Sequence, residues 1–304
     1  MTTPDTTIRL ASFKWLEEQT AIHGDVLPRK LLEEGFNHNG ERITLIGPQG
    51  IWKPRSFELP LSITTMIGGP YKDSLSNDGL LQYKYRGTDI YHRDNVGLRQ
   101  AMQHQIPLIY FHNVAKGRYL AIWPVFISGD NTESLTFTVS ADDINYLKQV
   151  NGFNYNNVAD SVVDISRRSY ITSQVKVRLH QSAFRERVLE AYDCRCTLCR
   201  LQHRDLLDAA HIIPDSDPDG EPVVTNGLSL CKIHHAAFDN NIIGIRPDYS
   251  VEVRKDILDE NDGPMLQHGI KEMHDKMIIL PAFRNCYPDK NALEKRYEHF
   301  RKTG

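Results

Sequence analysis

Apolar residues near the start of the chain recur at helical intervals. Leu10, Phe13, Trp15 and Leu16 in IRLASFKWLEEQTAIHG fall near one helix face, and PRKLLEEGF predicts a second, short helix closed by Gly35. From about residue 42 to 140 the pattern changes. ERITLIGPQGIWKP, FELPLSITT, LLQYKYRGTD, IPLIYFHNV, RYLAIWPVFISGD and SLTFTVS set β-branched and aromatic residues between Gly, Pro, Asn and Asp, which predicts short strands broken by turns. One helical segment, HRDNVGLRQAMQHQ, interrupts them. This pattern predicts a β-rich barrel or curved sheet and not an alternating α/β chain.

Residues 145–175 are rich in asparagine and show no clear period, as expected of a connection between domains. The division expected is a β-rich module over 1–150, a linker over 151–176 and a second domain over 177–304. HQSAFRERVLEAYD predicts a helix with Phe184, Val188 and Leu189 on one face, and it runs directly into a group of cysteines. LLDAAHII then reads as a strand ending near His211, and DSDPDGEPVV as a turn-rich loop. TNGLSL reads as a second short strand or turn, and CKIHHAAFDNN opens a helix. The charged helix DKNALEKRYEHFRK completes this domain, and the fold class expected is α+β.

With 304 residues the chain has room for two domains of ordinary size. Its 40% hydrophobic and 25% charged residues are typical of globular proteins, and no apolar run is long enough to cross a membrane. The first residues lack a basic segment followed by an apolar one, which points to the cytoplasm. A formal net charge of −3 argues against a uniformly basic nucleic-acid coat. Residues 165–204 nevertheless carry nine Lys or Arg against three acids, a stripe that can hold phosphates or simply face solvent.

The five cysteines fall at 194, 196, 199, 231 and 286, an odd number gathered near histidines, which favours metal binding over disulfides. CTLC separates Cys196 from Cys199 by two residues, and CKIH separates Cys231 from His234 by the same gap. Two such knuckles supply four soft ligands suited to a tetrahedral, structural Zn2+, with Cys194 just outside the pattern as a competing ligand. His235 is then free. His211, Asn226 and His235 stand along a strand, strand, helix order bracketed by the zinc ligands.

With AAHI, NGL, LC and HHAAFD in this order, residues of roughly 185–250 resemble the HNH (His-Asn-His) endonucleases, also called ββα-metal nucleases. The resemblance implies that His211 is the general base and that Asn226 orients the loop and that histidine. It implies that His235 binds a catalytic divalent ion, Mg2+ or Mn2+. The residue types agree with these roles. A neutral histidine can take a proton from water near pH 7, and a hard divalent ion stabilises charge on phosphoryl and leaving oxygens. An amide that cannot titrate suits a holding role. Many family members carry a metal-binding residue immediately before the general base, where this chain has Ala210. Another protein ligand must therefore complete the site. Asp239, four residues after His235 on the same helix face, is the first expectation and Asp208 the second.

In the first half, YKYRGTDIYHRDN concentrates Tyr83, Tyr85, Arg86, Asp89 and Arg93. A β-rich module ahead of an HNH domain, with segments such as GPQGIWKP, LPLSITT and YRGTD, resembles the SRA-HNH modification-dependent restriction endonucleases. In those enzymes a PUA-like domain flips a modified cytosine into a pocket. The resemblance implies an SRA/PUA-like DNA-reading domain and modified double-stranded DNA as the partner. Tyr83 or Tyr85 would stack on the base, Asp89 would read its edge, and Arg86 or Arg93 would hold a phosphate. Tyrosines alternating along a strand are equally expected as half-buried sheet residues. Cutting both strands with one site per chain further implies a homodimer. Two alternatives stand beside this reading. One is a non-catalytic zinc module that binds nucleic acid; the other is a nuclease whose first domain senses another ligand or phosphorothioate DNA.

Overall fold

Helix α1 (Pro4–His23) buries Ile8, Ser12, Phe13 and Leu16, the three- and four-residue spacing that one inward helix face requires. Leu10 and Trp15 pack only partly against the same core. Arg9 shares this face. It donates to the carbonyl oxygens of Pro60 and Pro107 at 2.9 and 3.0 Å and pairs with Asp5 at 2.9 Å, which offsets the cost of burying its charge. The computed structural model describes residues 4–65, 81–142, 165–261 and 263–303. It divides the chain into two units, Met1–Leu179 and His180–Gly304.

In the first unit, β1 (Val26–Pro28), α2 (Arg29–Glu34), β2 (Phe36–His38), β3 (Glu41–Ile43), β4 (Ile51–Trp52) and β5 (Ser62–Thr64) follow α1. Then come β6 (Leu81–Lys84), α3 (Arg93–Gln103), β7 (Leu108–Ala115), β8 (Arg118–Asn131) and β9 (Thr136–Ala141). Gly35 ends α2 at φ +57°, and a Cβ there would lie 1.9 Å from the Ile43 carbonyl oxygen, so only glycine fits. Among the described residues the main sheet has seven strands, in the order β4-β5-β7-β8-β9-β6 with β1 also on β8. β5 and β7 run parallel and the other pairs antiparallel. The long strand β8 shifts register against both β7 and β9, and such irregularities bend a sheet.

Residues 143–164, most of the expected linker, lie outside the described residues. From Ile165 onward the chain is helical, as α4 (Ile165–Ala191), so the latter part of that linker is a helix and not an irregular connection. Polar residues among its inward contacts interrupt the apolar period that would announce it. Thr172 Oγ1 accepts from the Ala141 N–H at 2.9 Å, and Arg168 pairs with buried Asp142 at 2.8 Å while lying over the Phe126 ring.

The second unit is built on the hairpin β10 (Leu207–His211) and β11 (Gly227–Cys231), in antiparallel register from Leu207↔Cys231 to His211↔Gly227. Helix α5 (Lys232–Asp239) follows β11 without a loop. A second pair, β12 (Ile243–Ile245) and β13 (Val251–Val253), precedes α6 (Lys255–Asp259), α7 (Pro264–Gly269) and α8 (Lys290–Thr303). Phe184, Val188 and Leu189 of α4 share one core with Leu228, Leu230 and Phe238. Each such side chain contributes about 1.5–3 kcal/mol by leaving water.

Part of the basic stripe is engaged by the protein's own acceptors. Arg185 and Arg204 both bind Glu186, whose side chain is fully buried. Arg187 donates to the carbonyls of Ala183 and Pro222, and Arg178 pairs with Asp25 at 2.7 Å. Local charge counting cannot see acceptors that arrive from distant segments. Among the described residues no helix is long and apolar enough to cross a membrane.

Candidate active site

His211 is the last residue of β10, half-buried at the mouth of the hairpin. The Phe184 ring of α4 stacks on its imidazole, with centroids 3.9 Å apart and planes inclined by 17°. Gly227, opposite His211, makes this approach possible. A Cβ there would lie 2.4 Å from Val188 Cγ2 and 2.9 Å from Phe184 Cζ. Nε2 of His211 is buried without a hydrogen-bond partner, leaving Nδ1 as the nitrogen open to solvent. Burial holds the His211 pKa below its ordinary value, with Asp215 and Asp239 acting upward and His235 downward. An imidazolium would add a charge to this setting, so the neutral ring is favoured.

Asn226 is buried just before β11, and its amide pins both backbone groups of one residue. Oδ1 accepts from the Ile213 N–H at 2.9 Å; Nδ2 donates to the carbonyls of Ile213 and Glu221, each at 3.0 Å. The Asn226 carbonyl also accepts from the Ile212 N–H at 3.0 Å. The loop leaving His211 is therefore stapled to the start of β11. An aspartate keeps the acceptor and loses both donated bonds. Asn226→Asp is expected to lower unfolding free energy by about 2–3 kcal/mol and to open residues 212–225 to protease. Urea denaturation and limited proteolysis check both; an unchanged midpoint defeats the staple.

His235 points between two carboxylates. Its Nδ1 lies 3.6 Å from Asp208 Oδ2 on β10, and its Nε2 lies 3.2 Å from Asp239 Oδ2 one helical turn later. Asp208 raises the His235 pKa against the effect of burial, and Asp239 adds to the rise. Burial pushes Asp208 upward, but His235, the Ala209 N–H and Arg185 together hold it below the usual carboxylate range. Both carboxylates expected from the sequence thus meet the same imidazole on different nitrogens. Arg296 of α8 covers the end of α5, its Nη2 donating to the Phe238 carbonyl at 2.8 Å.

Cys196, Cys199, Cys231 and His234 bring their ligand atoms within 4.8 Å of one another. His234 Nδ1 lies 3.4 Å from Cys196 Sγ and 3.2 Å from Cys231 Sγ, and Cys199 and Cys231 are 3.9 Å apart. A tetrahedral ion bonded to sulfur at 2.3 Å needs ligand separations of roughly 3.5–3.8 Å, so the cluster can hold a metal ion. The Gly269 carbonyl sits 2.6 Å from His234 Nε2, which orients the ring with Nδ1 toward the sulfurs. Cys194 stays outside the cluster and accepts from Arg204 at 2.9 Å.

The first-unit candidates do not gather into one pocket of free groups. Tyr83 is buried with its hydroxyl 3.4 Å from the Thr64 carbonyl. Tyr85 stacks on Phe137, and its hydroxyl is held by Asp130 and Arg99. Neither tyrosine offers an open face to a base, because Tyr83 of β6 and Tyr85 just after it are both buried. Arg86 binds Gln49 and Asp94. Asp89 is exposed and accepts from the Tyr91 N–H at 2.8 Å, while Arg93 at the start of α3 is 79% exposed. Asn95, buried behind them, holds the Arg86 and Asp89 carbonyls.

Residues 196–246 match the family of HNH endonucleases. The chain therefore carries an HNH segment that includes His211, Asn226, His235 and all four clustered ligands. No curated protein matches the chain. Among solved structures, a modification-dependent restriction endonuclease, TagI, aligns at 17% identity over 79% of this chain and 81% of its own, with a TM-score of 0.29. Phe184 lies outside the matched segment. Nothing local marks Phe184, which reaches His211 through tertiary folding alone.

Proposed function

We propose that the second unit is a divalent-metal-dependent DNA endonuclease with His211 as the general base. The observation that carries this reading is a half-buried histidine at the end of β10, in one hairpin-and-helix unit with a second histidine flanked by two carboxylates. Nδ1 of His211 takes a proton from a water that attacks phosphorus, and the bond to the 3′-oxygen breaks. Neutrality matters here, because an imidazolium has no lone pair to offer at Nδ1.

His235 through Nε2, together with Asp239, would hold Mg2+ or Mn2+, since imidazole and carboxylate suit such an ion. When bound, the ion stabilises charge on the phosphoryl oxygen and on the departing 3′-oxygen. Asp208, on the Nδ1 side, orients His235. Asn226 keeps the loop after His211 in register. The three thiols and His234 form a closed, soft ligand set, which supports a structural Zn2+. A non-catalytic zinc module would explain those four residues but leave His211 and His235 without work.

We also read the first unit as an SRA/PUA-like domain that directs cutting to modified cytosine in double-stranded DNA, with two chains acting as a homodimer. Its support is the curved, β-rich sheet ahead of the nuclease unit and the exposed Asp89 and Arg93. With Tyr83 and Tyr85 turned inward, stacking would fall to another residue. Purified protein with Mg2+ or Mn2+ is expected to cut methylated or hydroxymethylated cytosine DNA faster than unmodified or phosphorothioate DNA. Equal cutting of all four removes the modification reader and keeps the nuclease. Preference for phosphorothioate transfers the specificity to sulfur, and absence of cutting on every substrate overturns the nuclease.

A further inference from the structure

We infer that Arg185 is a positioning residue of this site, holding Asp208 so that its carboxylate orients His235 for the divalent ion. The inference rests on the nuclease reading above and adds a residue of α4, outside the matched family segment. Asp208 uses its two oxygens differently. Oδ1 accepts from the Ala209 N–H at 3.0 Å and pairs with Arg185 Nε at 3.3 Å, whereas Oδ2 faces His235 Nδ1 at 3.6 Å. A carboxylate held on one oxygen by two donors has little freedom to rotate, so its other oxygen stays toward the imidazole.

The guanidinium is itself fixed from several sides. Nη1 donates to Glu186 Oε1 at 3.1 Å, and Nη2 donates to the carbonyls of Leu207 and Arg204 at 2.8 and 3.2 Å. All three nitrogens are engaged, and the planar fork then leaves one orientation, with Nε toward Asp208. Glu186 is a firm anchor because its side chain is fully buried and Arg204 holds its second oxygen. The contacts run from Glu186 through Arg185 and Asp208 to His235, all within the second unit.

Stability does not explain the pair with Asp208. The Arg185 and Asp208 side chains are 32% and 43% exposed, and a pair so open to water adds little to folding. Its effect is orientation. An Nδ1–H directed at Asp208 Oδ2 fixes the imidazole tautomer and leaves the Nε2 lone pair on the side of Asp239, where the ion would bind. The preceding residue of α4, Phe184, stacks on His211. Two consecutive residues of one helix therefore brace both histidines of the site.

The test measures Mn2+ binding from the paramagnetic resonance signal of the free ion, with duplex DNA present and His211→Ala in every protein to stop cutting. The site in question is the one lost in His235→Ala. Arg185→Met and Arg185→Lys are each expected to raise the Mn2+ Kd about tenfold with zinc content retained. Lysine keeps a charge beside Glu186 but lacks the fork, so it carries the test if the methionine variant fails to fold. Asp208→Asn should weaken binding at least as much. Adding either arginine substitution to it should cost less than about twofold more, because Arg185 acts through that carboxylate. A Kd within about threefold of the parent in the arginine variants overturns the assignment. So does an undiminished loss in the Asp208→Asn background, which would make Arg185 a structural strut, or an ion that His235→Ala retains. If wild type cuts plasmid with Mn2+, these results defeat the role of Arg185 alone; if wild type does not cut, the nuclease reading falls and takes this role with it.

Discussion

His211→Ala is expected to reduce plasmid cleavage by about 10²–10⁴-fold while leaving the second unit folded. The loss follows from removing the one imidazole nitrogen of His211 that is not buried. Burial favours the neutral form of that imidazole, the form able to accept a proton. The fold should tolerate the change because His211 ends a strand whose backbone pairing with Gly227 does not use the side chain. Alanine also removes a buried Nε2 that has no partner, which offsets part of the lost stacking on Phe184. Nicking rates and a thermal melt on the same preparation decide the matter. An unchanged rate ends the proposed mechanism, and a collapsed melt would make His211 a structural residue.

Stripping the clustered ligands of metal is expected to have an even larger effect on stability. The four ligands join the Cys196–Cys199 knuckle to the start of α5, and the His234 ring reaches on to the Gly269 carbonyl. Around the knuckle, Thr197 bonds both the Ser229 carbonyl at 2.7 Å and the Ile279 N–H at 2.8 Å. A structural zinc contributes apparent binding energy of about 10–16 kcal/mol, as large as the whole stability of an ordinary domain. Strong chelation, or Cys231→Ser, should therefore unfold residues 180–304. The main sheet of the first unit contains none of the ligands and should keep its own transition. Calorimetry with metal analysis tests this. Returning Mg2+ alone should fail to restore cutting; a second unit that melts unchanged without bound metal would refute the structural role.

How far these conclusions were legible in the chain itself depends on the range of the interaction. The two-residue gaps of CTLC and CKIH act within one turn of backbone, so their ligand chemistry could be read directly. The strands and helices followed from local alternation and period. Helix α4 escaped in part because two of its buried positions, Arg168 and Thr172, are polar and interrupt the apolar stripe that Val175 and Leu179 continue. Tyr83 and Tyr85 suited a base pocket by type, yet both rings lie buried.

The sequence by itself determined the ligand set, the order of His211, Asn226 and His235, and the hairpin that separates them. Each depends on spacing along the backbone. Only the tertiary structure decided that Asp208 and Asp239 meet opposite nitrogens of His235, that Phe184 backs His211, and that Glu186 absorbs Arg185 and Arg204. Those relations join segments tens of residues apart, where burial and charge act through space and no local period records them.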